Sequence, residues 1–100
     1  MKKNEIIKDR LEEWVESKGF LNSRFTIIEL CKIIGINRTY LSNYINNTYG
    51  LNFNLWINHL RIEEAKQLMG QTPKRSLSEI AERIGFTALA HFSKQFKLQE

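Results

Sequence analysis

One cysteine and one proline in 100 residues are the chain's scarcest building blocks, and each scarcity excludes something. A lone Cys31 forms no internal disulfide, and no set of Cys and His companions surrounds it in sequence to hold zinc. Apolar runs of only a few residues fall far short of the roughly 20 that a bilayer span needs. Glu5, Asp9, Glu12 and Glu13 interrupt the segment in which a signal peptide would carry its apolar stretch. A soluble, cytoplasmic chain is therefore expected, with no membrane contact by this segment. Strand-type alternation and low-complexity tracts are missing as well, which leaves an all-α fold. The chain also lacks a nucleophile–base pair, a phosphate loop and a paired-carboxylate site, so neither an enzyme nor a cofactor or metal is expected.

The most pointed absence is of charge of one sign. Between Leu30 and Ile62 there is no Asp or Glu, while Lys32, Arg38, Arg61, His59 and seven asparagines fall inside that stretch. From Lys74 to Lys97 five basic residues face two acidic ones, Glu79 and Glu82. A solvated helical surface ordinarily mixes signs. With a net charge of +4, the pattern favours a side that faces a polyanion.

What is present is a repeat. Thr26-Ile27-Ile28-Glu29-Leu30-Cys31-Lys32-Ile33-Ile34-Gly35-Ile36-Asn37 returns as Ser76-Leu77-Ser78-Glu79-Ile80-Ala81-Glu82-Arg83-Ile84-Gly85-Phe86-Thr87. Each copy opens with a hydroxyl residue followed three positions later by Glu, the capping-box signature of a helix start. Each then has an apolar face, a small residue (Cys31 or Ala81) where a second helix must cross closely, and a Gly suited to a left-handed helix stop. A new N-cap, Asn37 or Thr87, opens the next helical pattern. This is a helix-turn-helix read from its physical parts, and two copies imply one molecule straddling two stretches of DNA groove.

Around the repeat, a first helix is expected from an Asn4 cap to about Lys18, stopped by Gly19, with Ile7, Leu11, Trp14 and Val15 on its apolar face. Helices near 27–34 and 38–47 form the first motif, with Leu30, Ile34 and Ile36 packing on Leu41 and Ile45. A long helix from about Asn54 to Met69 follows, with Trp56, Ile57, Leu60, Ala65 and Leu68 inward, long enough to hold two small units apart. Pro73 bars its continuation. Helices near 77–84 and 88–97 form the second motif, with Ile80, Ile84 and Phe86 packing on Phe92 and Phe96. The expected organisation is one domain over 1–100: a first unit at about 4–50, a linker helix at about 53–70 and a second unit at about 74–98.

The chain resembles the DNA-binding domain of the AraC/XylS family of bacterial transcription regulators. The resemblance rests on Asn37-Arg38-Thr39-Tyr40-Leu41-Ser42, on Tyr49-Gly50-Leu51-Asn52-Phe53, and on Leu60-Arg61-Ile62 with Ala65 and Leu68. It continues through Ile80-Ala81-Glu82-Arg83-Ile84-Gly85-Phe86 and His91-Phe92-Ser93-Lys94-Gln95-Phe96-Lys97, so that it spans about Asn22 to Lys97. It implies a homeodomain-like six-helix architecture whose two recognition helices enter successive major-groove segments of double-stranded DNA. It also implies a sensor domain in the full-length protein and makes RNA polymerase a candidate further partner. Two departures stand out. The family's closing helix has no counterpart after Leu98-Gln99-Glu100, and Ala88-Leu89-Ala90 stands where the family has polar residues.

Thr39, Ser42 and Asn43 on the first recognition helix are the candidates for base edges, because Asn bonds bidentately to adenine and hydroxyls serve several bases. Lys94, as a base or phosphate contact, with Leu89 and Ala90 as methyl contacts, is the candidate set on the second. Asn37, Arg38, Asn46, Thr87 and Lys97 are candidates for phosphates, Thr87 aided by the helix N-terminus. Plainer readings stand beside these. Tyr40 either reaches the DNA backbone or packs on the linker helix, and Leu89 either touches a methyl or covers the core. Arg61 reads as a structural ion pair with Glu63 or Glu64, Cys31 as a small core residue, and His59 and His91 as ordinary helix residues. The rival functions are a helical protein-interaction module and a non-specific nucleic-acid binder.

Overall fold

A computed structural model describes residues 3–70, 76–85 and 94. Among them run five helices and a 3-10 turn: α1 Lys3–Glu16, the 3-10 turn Gly19–Leu21, α2 Ile27–Ile34, α3 Arg38–Tyr49, α4 Phe53–Met69 and α5 Leu77–Arg83. No strand occurs among the described residues.

Local chemistry sets these boundaries. Thr26 Oγ1 accepts the Glu29 amide at 3.3 Å and Ser76 Oγ accepts the Glu79 amide at 3.2 Å, so both repeats begin their helix through the same bond. Asn37 and Asn52 do the same for α3 and α4, accepting from Tyr40 and Leu55 at 2.8 and 2.9 Å. Each such cap contributes about 1 kcal/mol by satisfying an amide that the helix itself leaves unpaired. At the other end, Gly35 and Gly85 turn the chain at φ 85° and 93°, in the left-handed region where a Cβ is costly.

Tertiary packing is organised by α4. Its first half places Trp56 and Ile57 in a core with Ile7, Leu11 and Trp14 of α1, Leu30 and Ile34 of α2, and Leu41 and Ile45 of α3. Aromatic rings tie this core together: Trp14 lies 5.8 Å from Trp56, and Tyr49 stacks on Trp56 at 5.1 Å. The second half of α4 places Ile62 and Ala65 against Ile80, Ala81 and Ile84. Leu21 packs against both cores.

Several expectations need correction. Helix α1 already includes Lys3, and the Asn4 carboxamide accepts from the Tyr40 hydroxyl at 2.8 Å instead of capping the helix. The left-handed residue after α1 is Lys18 (φ 61°), with Gly19 tucked under the Trp14 indole. Helix α3 runs on to Tyr49, because only Gly50 takes the left-handed stop. On α4, Leu60 and Leu68 are half-buried while Ile62 is fully buried. Besides α4, which carries one core on each half, the 3-10 turn also meets the second core through Leu21. Cys31 packs against the first core as expected, though half-buried and bordering a surface groove.

Candidate nucleic-acid interface

The candidate interface is built on α3. Leu41 and Ile45 are fully buried and pin one face of the helix to the core. A helix turns 100° per residue, so fixing that face decides which side chains look outward. Thr39, Asn43, Asn46 and Asn47 are exposed on the far side, a polar strip that rises about 12 Å along the helix. An α-helix of that kind fits a major groove roughly 12 Å wide. No carboxylate lies on α3, so nothing on the strip repels phosphate.

The sequence-derived candidates fall as follows. Thr39 and Asn43 are exposed on the strip, whereas Ser42 is half-buried at its edge. Arg38 is exposed at the first turn, beside the exposed Lys32 on the groove bordered by Ile28, Cys31, Gly35, Ile36 and Asn37. Asn37 is exposed, and its oxygen is committed to the Tyr40 amide, which leaves its NH2 group as the part able to donate to a phosphate. Asn46 is exposed in the third turn. In the second unit, Lys94 is helical and exposed. Thr87, Leu89, Ala90 and Lys97 lie outside the described residues, as do His91 and the expected core residues Phe86, Phe92 and Phe96.

Three residues that sequence reasoning missed shape the site. Asn47 shares a polar groove of about 300 Å³ with Asn43, Asn4, Tyr40, Tyr44 and Thr48. Its signal was present in the i, i+4 spacing from Asn43. Asn4 holds the Tyr40 hydroxyl, so Tyr40 bridges α3 to α1. Arg10 Nη1 donates to the carbonyl of Ile34, the last residue of α2, and so holds the turn that aims α3. The last two are contacts across 36 and 24 residues, for which local patterning carries no signal.

Arg61 has a different role from the surface cations. It is buried, and its Nε and Nη2 donate to the carbonyls of Phe20 at 2.7 Å and Asn22 at 3.0 Å. Desolvation pulls the guanidinium below its ordinary value. A structural role is thus correct, but the acceptors among the described residues are carbonyls. Glu64 pairs instead with Lys18 at 3.0 Å, and Glu63 with Lys66 at 3.4 Å.

Comparison with known proteins gives this geometry a context. Residues 30–100 match a family described as a helix-turn-helix domain. The chain is 29% identical to histidine kinase P4 of Formosa agariphila over 101 aligned residues, which are 94% of this chain and 7% of that protein. It is 29% identical to the HTH-type transcriptional regulator MtrA of Neisseria gonorrhoeae, over 75% of this chain and 25% of the regulator. Among solved structures, it superposes on the C-terminal domain of the two-component response regulator yesN from Fusobacterium nucleatum. That match has a TM-score of 0.77 and 28% identity, and it covers 92% of this chain and 95% of that domain. The chain therefore spans a quarter or less of the length of these two full-length relatives.

Proposed function

The chain belongs to the AraC-type helix-turn-helix family of bacterial transcription regulators, and from that premise we propose that α3 reads base edges in a major groove. It is a DNA-binding domain of that family and not an enzyme. Among the described residues no helix is long and apolar enough to cross a membrane. The observation that carries the reading is the acid-free outward strip Thr39–Asn43–Asn46–Asn47 on a helix pinned by Leu41 and Ile45.

In this reading Thr39, Asn43 and Asn47 meet base edges, with Ser42 at the margin. Arg38, Asn37 and Asn46 hold phosphates, and Arg38 draws on the positive end of α3 as well as its own charge. The second recognition helix, to which Lys94 belongs, enters the next major-groove segment with Leu89 and Ala90 against thymine methyls and Thr87 and Lys97 on phosphates. In the whole regulator a sensor domain accompanies this one, and RNA polymerase is a further partner. The working place of such a domain is the cytoplasm, where the DNA is.

Selection from a randomised duplex library at near-physiological salt tests this. Two enriched half-sites about one helical turn apart are expected. Equal recovery of all sequences, with binding that vanishes as salt rises, would mean charge without readout. The protein-docking reading has one observation on its side: Ile28 and Ile33 of α2 are each more than half exposed. It predicts that Ile33→Lys abolishes capture of a protein partner and leaves DNA affinity unchanged.

A further inference from the structure

The segment between α1 and α2 is held on two sides. On one side α4 grips it: Arg61 donates to the Phe20 and Asn22 carbonyls at 2.7 and 3.0 Å, and Glu64 takes Lys18 at 3.0 Å. On the other side is the turn of the second repeat. A Cβ on Gly85 would stand 2.7 Å from the Leu21 carbonyl oxygen and 3.0 Å from Arg61 Nε, so the turn backbone seats directly on this connector and on the guanidinium beneath it. Between the two grips, the half-buried Leu21 packs against both cores.

The connector belongs by packing to the first unit, since Phe20 is buried in the core with Trp14 and Trp56. Gly85 closes the helix α5 turn from which the second recognition helix departs in sequence. Besides the direct packing of α5 on α4, the first unit therefore reaches the α5 turn through the connector, and Arg61 both bonds that connector and lies close beneath Gly85. A planar, permanently charged fork with fixed donor angles suits that position, because its geometry transmits without slack.

We propose that Arg61 is the positioning residue that sets the separation and rotational phase of the two DNA half-sites, through the connector 19–22 and Gly85. This rests on the bipartite reading above. Arg61 touches no DNA in this role. It fixes how far the second reading head stands from the first, so its loss changes which spacing is preferred and not which bases are read.

The test measures affinity of the 100-residue chain for duplexes bearing the two selected half-sites at the selected spacing, and one or two base pairs shorter or longer. A duplex with the first half-site alone is the control. For the unaltered chain, off-register spacings lose the simultaneous engagement of two sites and weaken binding by about tenfold or more. Arg61→Met is expected to flatten that profile to about threefold while leaving the single-site control within about twofold. Arg61→Lys, which keeps the charge and one donor, is expected to lie between them. It also decides the matter alone if thermal melts show that the Met variant does not fold.

The same spacing penalty in the folded variants would overturn the proposal. So would an equal loss on every duplex including the single-site control, which marks a merely structural role. An unaltered chain with no preference among half-site duplexes would remove the bipartite reading itself, an outcome distinct from either.

Discussion

Arg10 on α1 donates its guanidinium to the carbonyl of Ile34, the residue that ends α2, so a side chain 24 positions away closes the helix-turn-helix turn. The last carbonyls of a helix have no partner within it, and a cation there also meets the negative end of the helix dipole. Because Arg10 itself is exposed, water replaces part of the bond when it is lost. Arg10→Met is expected to cost about 0.5–1 kcal/mol in urea unfolding, and to weaken DNA binding further because α3 is aimed from that turn. Unchanged stability and affinity would show that the turn holds itself.

Side chains on the α3 strip and those at its N-terminus should fail differently. Asn43→Ala and Asn47→Ala are each expected to relax preference at one base position by about 1–3 kcal/mol. Arg38→Ala should weaken all sequences alike and reduce the slope of log K against log salt by about 0.9, one phosphate contact's worth. Binding profiles of the three variants against single-base substitutions separate the two classes. An unaltered base profile for both Asn variants would remove them from the readout.

The two turn glycines share a left-handed backbone but not a neighbourhood. A Cβ on Gly35 would meet the end of the Arg10 side chain at 3.1 Å, which can shift, whereas one on Gly85 would meet the Leu21 carbonyl at 2.7 Å, which cannot. Gly35→Ala should therefore cost about 1–2 kcal/mol from backbone strain alone. Gly85→Ala should cost clearly more, seen as a lower midpoint in thermal unfolding followed by circular dichroism. Equal losses would mean that the connector yields easily at Leu21.

The four N-caps make an internal control. Asn37→Ala and Asn52→Ala each remove a capping bond of similar length and should each cost about 1 kcal/mol of stability. Only Asn37 opens the helix proposed to read DNA. At temperatures where both variants stay folded, affinity should fall for the Asn37 variant alone. A matching fall for Asn52→Ala would place the effect in stability and not in phosphate contact.

Much of this was legible without a structure. The boundaries of α2 follow from Thr26, Glu29 and Gly35, and those of α5 from Ser76 and Glu79, because capping and chain reversal are decided within four residues. The buried faces of α1 and α3 follow from Ile7, Leu11 and Trp14, and from Leu41 and Ile45, through helical spacing. The outward side of α3 is then fixed by exclusion. Asn47 could have been added to the strip by continuing that spacing from Asn43.

The remainder was not legible because it lives in contacts between distant segments. Asn4 looks like a cap in sequence and acts as the acceptor for Tyr40. Arg61 stands beside two glutamates in sequence, yet its described acceptors are carbonyls 39 and 41 residues away. Leu21 carries no periodic signal and touches both cores.

What the amino-acid order by itself determined is the starts of α2, α3 and α5, the stop of α2 and the buried faces of α1 and α3, since these depend on neighbours three or four residues apart. What only the tertiary structure decided is how the second repeat sits against the first. That depends on Ile80, Ala81 and Ile84 packing on Ile62 and Ala65 of α4, and on the Leu21 carbonyl lying against the bare Cα of Gly85 beside a buried guanidinium. Each of those groups is ordinary where it stands in the chain, and the arrangement exists only once packing brings them together.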